Sequence, residues 1–117
     1  MVIFVHWGDE YQKEVTDYQR GIVALLAKAG ADVVIGTHPH VVQETELLDR
    51  PDGGKMLVYY SLGNFRAYQK DKDSGGIESL NDKKHIGGAE AIFTIEYTYD
   101  GVRLKNWDLK DIDSYAP

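Results

Sequence analysis

Three histidines stand where two apolar runs end. His6 follows Val2-Ile3-Phe4-Val5, and His38 and His40 follow Asp32-Val33-Val34-Ile35. Pro39 disfavours the helical region for His38 and biases it to an extended conformation. In an extended segment residues two apart point the same way, so both imidazoles of His38-Pro39-His40 could face one pocket. Gly36 just before them lets the backbone turn sharply away from the run. Three imidazoles from two separate elements are best explained by a shared metal ion. The competing reading is a polar loop with hydrogen-bonded histidines.

Carboxylates lie close by in His6-Trp7-Gly8-Asp9-Glu10-Tyr11. Asp9 and Glu10 could be ligands, carboxylates that hold an imidazole tautomer, or solvated loop charges. Glu10 is also the candidate acid–base group. A further polar cluster, Ser61-Leu62-Gly63-Asn64-Phe65, follows the apolar run Met56–Tyr60. There Asn64 could donate a hydrogen bond to a substrate or to an imidazole, and Ser61 could do likewise. The same residues also fit a plain strand-to-loop turn. Ser61 lacks the Gly-x-Ser-x-Gly setting of a hydrolase nucleophile. His85, among Asp82, Lys83 and Lys84, reads as a solvated loop residue.

The elements that would position these groups form a strand–helix–strand unit. Such crossovers are right-handed in nearly all cases, so both strands finish on one edge of a parallel sheet. Open α/β sheets gather ligands at that carboxyl edge. Between the strands, Thr16-Asp17-Tyr18-Gln19 has the form of a capping box. Tyr18, Ile22, Leu25, Leu26 and Ala29 then recur at helical spacing as one apolar stripe. Lys28 suits the negative end of the helix dipole, and Gly30 is a natural stop. Gly21 weakens the interior by about 1 kcal/mol, so this helix depends on docking against the sheet.

Beyond His40 the pattern becomes antiparallel hairpins. Residues 41–48 and 55–60 flank the turn-rich Asp49-Arg50-Pro51-Asp52-Gly53-Gly54. The polar stretch 66–88 is too long for an ordinary connection and reads as a mobile insertion or lid. In the final hairpin, Ala89, Ala91, Phe93, Ile95, Tyr97 and Tyr99 alternate with mostly polar neighbours, and Asp100-Gly101 suits a tight turn. That turn pairs Tyr99 with Val102, Tyr97 with Leu104 and Glu96 with Lys105. The alternation slips near Asn106, which predicts a bulge there. The aromatic stripe reads as core.

The chain of 117 residues suits one domain, and its 43% hydrophobic and 27% charged residues are ordinary for a globular protein. No apolar run is long enough for a transmembrane helix. With 13 basic against 19 acidic residues, the net charge of −6 argues against nucleic acid as a partner. The absence of cysteine excludes disulfides and thiolate ligands. A two-stranded parallel unit with one helix leaves a sheet face bare, and Met1 leads straight into a strand. The N-terminus therefore reads as a cut through a larger domain, and a homo-oligomer of the chain alone could cover the open sheet.

Three blocks, His6-Trp7-Gly8-Asp9-Glu10-Tyr11, Gly36-Thr37-His38-Pro39-His40-Val41-Val42-Gln43 and Ser61-Leu62-Gly63-Asn64-Phe65, strongly resemble the bacterial capsule-synthesis protein CapA family. The resemblance covers residues 1–65, and the tail fits only loosely. It implies a role in poly-γ-glutamate or related surface polymers at the bacterial cell envelope or outside it. The family in turn looks like the calcineurin-type metallophosphoesterases, a four-layer α/β sandwich holding two divalent ions (Mn, Zn, Fe or Mg). By that analogy His6, His38 and His40 are metal ligands, while Glu10 and Asn64 help orient an anionic polymer or phosphoester substrate. The blocks that supply the aspartates, the bridging carboxylate and an Asn-His pair are absent here. The resemblance thus covers only the C-terminal half of the family domain, and the complementary half is an expected partner. Two further readings stay open: a degenerate binding subunit of a polymer synthase complex, and a general metal-dependent phosphodiesterase.

Overall fold

A computed structural model describes residues 1–64, 88–99 and 101–112. The elements in chain order are β1 (Val2–His6), α1 (Asp17–Lys28), β2 (Val33–Thr37), β3 (Thr45–Asp49), β4 (Lys55–Tyr59), β5 (Gly88–Thr98) and β6 (Gly101–Ile112). The fold is mixed α/β. A four-stranded sheet has the order β1-β2-β4-β3, and β5 and β6 form a separate two-stranded sheet.

β1, β2 and β4 run parallel, with His6 opposite Thr37 and Val33 opposite Leu57. The anticipated hairpin of β3 and β4 is present, though its first strand begins only at Thr45. β2 and β4 are central, and their apolar runs are buried on both faces, as parallel strands require. On one face Val34, Met56, Val58 and Tyr60 meet Val23, Ala27 and Ala31 on and just beyond α1. On the other, Val33, Ile35, Leu57 and Tyr59 meet Ala91, Phe93, Leu104 and Leu109 of the second sheet. The hairpin thus supplies cover that a strand–helix–strand unit alone lacks. Val2 and Phe4 of edge strand β1 stay exposed.

The capping box forms as expected. The Thr16 hydroxyl accepts from the Gln19 backbone N–H, and the Gln19 side chain accepts from the Thr16 N–H. The apolar stripe needs correction. The buried helix positions are Gln19, Val23 and Ala27, with Ile22 and Leu26 beside them, whereas Tyr18 and Leu25 are 70% and 60% exposed. The buried line is rotated by one residue, about 100°, because polar Gln19 is drawn inward by hydrogen bonds. A pattern of apolar residues alone passes over it.

Gly36 also has a different role. It lies inside β2, and a Cβ there would stand 2.0 Å from the Tyr60 carbonyl oxygen and 2.3 Å from the Trp7 indole nitrogen. Buried Trp7 crosses this glycine to donate its indole N–H to the Tyr60 carbonyl at 2.8 Å. The missing side chain allows a close approach; it does not make a turn.

In the last hairpin the register is shifted. Tyr97 pairs with Val102 and Thr98 with Gly101, so Tyr99 lies in the connection. Thr94 pairs with Asn106 and Ile95 with Leu104, which leaves Lys105 as the extra residue of a bulge beside the expected position. The aromatic stripe divides. Phe93 and Trp107 meet Tyr59, at ring separations of 6.4 and 6.5 Å, but Tyr97 and Tyr99 are exposed. β5 has eleven residues and the strands beneath have five, so the hairpin overhangs the sheet it covers. The proposed insertion, apart from Gly88, and His85 lie outside the described residues.

Candidate metal centre

The parallel register brings His6 and the His38 loop to the carboxyl edge together. The His6 and His38 rings lie 4.3 Å apart, and those of His38 and His40 lie 6.1 Å apart. One ligand atom each from Glu10, His38 and His40 falls within 4.8 Å of the others. His6 stands outside this donor set, against His38. Asp9 is not in the donor set; with His6, Trp7, Tyr18 and His38 it lines a cleft of about 380 Å³.

The loop reaches this geometry by a route its sequence does not suggest. His38 and His40 are not extended; their φ angles are +102° and +63°, and Tyr11 has +60°. These are all the non-glycine residues at positive φ among the described residues. Each such conformation costs about 1–3 kcal/mol and persists only when the surroundings impose it. Here Pro39 is buried, and its carbonyl accepts from the Tyr11 N–H at 2.7 Å. Tyr11 also stacks on His40 at 5.5 Å. A long-range contact therefore overrides the local bias of the His-Pro pair, yet both rings still reach one site.

Asn64 lies 2.9 Å from His40, its amide oxygen facing Nδ1. In this orientation the amide oxygen accepts from the imidazole Nδ1–H, which leaves Nε2 as the ring nitrogen not engaged by Asn64. Ser61 is buried and caps its own turn, accepting from the Gly63 N–H. Two imidazoles and a carboxylate are donors of a kind that divalent transition metals take. Donors sharing an ion at about 2.0–2.2 Å lie about 3–4 Å apart, so a small side-chain adjustment would close the set. Tyr11, Trp7 and the glutamines behind the loop were missed as site-builders in the sequence. The presence of Trp7, Tyr11 and Gln43 inside the histidine blocks was the available signal.

Residues 1–69 match the family described as bacterial capsule synthesis protein PGA_cap, and the chain belongs to that family. It is 33% identical over 93 residues to the PGA biosynthesis protein CapA of Bacillus subtilis (strain 168), covering 77% of this chain and 23% of that protein. It is 32% identical over 81 residues to the capsule biosynthesis protein CapA of Bacillus anthracis, covering 67% of this chain and 18% of that protein. The chain thus spans less than a quarter of the length of these curated relatives. No solved structure matches it significantly. No helix among the described residues is long and apolar enough to cross a membrane.

Proposed function

We propose that this chain contributes one side of a divalent-metal site of hydrolase type in a protein of capsule or poly-γ-glutamate biosynthesis. The domain would be a metallophosphatase-like four-layer α/β sandwich, working at the bacterial cell envelope on an anionic polymer or a phosphoester. The observation that carries the reading is the convergence of Glu10, His38 and His40 at the carboxyl edge of the parallel strands. The names of the relatives support the biosynthetic setting.

His38, His40 and Glu10 would hold the ion, with His6 completing the imidazole cluster. Two imidazoles with a carboxylate suit Zn, Fe or Mn better than Mg, which prefers oxygen ligands. When bound, such an ion supplies Lewis-acid polarisation of a phosphoryl or amide carbonyl oxygen. Asn64 holds the proton on His40 Nδ1 and so orients the ring. Tyr11 covers the His40 ring face and limits its rotation. Glu10, the exposed member of the set, is the group that can also meet a substrate proton.

Calorimetric titration of Mn(II) or Zn(II) into the full-length protein tests this. The His38→Ala/His40→Ala variant should bind about two orders of magnitude more weakly, or not at all; undiminished binding overturns the ligand assignment. Capsule that persists in cells carrying that variant would make the domain a binding subunit. Ion-dependent turnover of small phosphoesters would favour a general phosphodiesterase.

A further inference from the structure

The segment from Trp7 to Thr16 carries Glu10 but belongs to no helix or sheet. Two buried glutamines tie it down. Gln19, in the first turn of α1, is fully buried, and Gln43, three residues after His40, is 4% exposed. The Gln19 Oε1 accepts from the Thr16 backbone N–H at 2.8 Å, and its Nε2 donates to Gln43 Oε1 at 2.9 Å. The Gln43 Nε2 then donates to the carbonyl oxygens of Gln12 at 2.9 Å and Glu14 at 3.3 Å. A hydrogen-bonded chain thus runs from the helix, through the strand-end loop that bears His40, into the loop that bears Glu10. The loop also presses on this chain at Gly8, where φ is +77° and an added Cβ would meet Gln19 Cδ at 2.9 Å.

We propose that the Gln19–Gln43 pair is an amide clamp that sets Glu10 in register with His38 and His40. Gln43 is then a positioning residue that acts through Glu10. Buried amides are restrictive in this role, because each donor and acceptor lacks a substitute partner if the loop shifts. The bond from the Tyr11 N–H to the Pro39 carbonyl fixes one point between the two loops, and the clamp fixes the next. Both points lie just C-terminal to Glu10, at Tyr11 and at Gln12 and Glu14, and restrain the backbone that leads away from it. The proposal rests on the metal-site reading for its consequence, but the clamp itself can be measured without metal.

Gln43→Met removes both halves of the connection at similar volume. Gln43→Glu keeps an acceptor for Gln19 but loses the donors to Gln12 and Glu14. In hydrogen exchange of metal-free full-length protein, segment 8–15 should exchange about tenfold faster or more in both variants, while β2 and β4 keep their protection. Unchanged exchange in that segment overturns the clamp, and so does an equal acceleration everywhere.

In Mn(II) titrations Gln43→Met should weaken binding about 10–100-fold. Combined with Glu10→Gln, it should weaken binding no further than the stronger single change. Effects that multiply would show that Gln43 does not act through Glu10, and would refute the proposal. Should the histidine double variant bind normally while segment 8–15 is loosened by Gln43→Met, the metal reading fails and the clamp stands.

Discussion

The two ends of the four-stranded sheet differ in which residues carry their positive φ angles. At the carboxyl edge, positive φ angles fall on Gly8 and Gly63 but also on Tyr11, His38 and His40, residues with side chains that such angles disfavour. At the other end they fall on Gly30 and Gly53, which adopt them at little cost. There Arg50 does the joining: its guanidinium reaches the carbonyls of Gly30 and Ala31 and the Asp32 carboxylate, all at 2.9–3.1 Å. One end is built for stability with residues suited to their backbone. The other accepts strain so that three side chains can meet. Local rules are broken where long-range contacts impose the backbone conformation.

This contrast can be attacked from both ends. The largest stability effect should come from Arg50→Met. It removes charge-assisted bonds at a site where Arg50 and Asp32 are mostly buried, and should cost about 2–3 kcal/mol in urea unfolding. Mn(II) affinity should hardly change; a matching loss of affinity would mean the two ends are coupled.

Next come two substitutions of opposite sign. Gly30→Ala meets no atom within 4 Å, so only its φ of +86° opposes the change, and it should destabilise by about 1 kcal/mol. His38→Gly relieves a φ of +102° and should stabilise by up to about 1 kcal/mol while weakening metal binding. If His38→Gly destabilises as Gly30→Ala does, the strain at the site end is not real.

The smallest effect concerns pH. Burial is the main cause that pushes the Tyr60 phenol well above its ordinary 10.0, with the neighbouring Glu46 adding to the shift. The folded state therefore retains a proton that the unfolded chain releases above pH 10. Stability is complete below that pH and falls as pH rises beyond it. Tyr60→Phe should lose about 1 kcal/mol at pH 7, from the 2.9 Å bond to Glu46, and show a shallower alkaline decline. An unchanged decline would remove Tyr60 as its source.

Much of the organisation was legible because it is local. The capping box from Thr16 to Gln19, the helix between two parallel strands and the hairpin around residues 49–54 all follow from short-range pattern. The bulge near Asn106 followed from a break in alternation. The helix face did not, because buried Gln19 is polar and hydropathy cannot foresee a partner at Gln43. The hairpin register slipped because Asp100-Gly101 fits the tight-turn pattern, whereas the observed pairing puts Tyr99 in the connection.

The same division runs through the site. By itself the sequence determined which groups were available and that His6 and the His38 loop would arrive at one edge, since a right-handed crossover leaves little alternative. Tertiary structure decided how they meet: Glu10 beside His38 and His40, His6 against His38, and Asn64 behind His40. Those placements depend on contacts across tens of residues, such as Tyr11 to Pro39 and Gln43 to Gln12. Propensity acts over a few neighbouring positions, so only the packed chain can impose them.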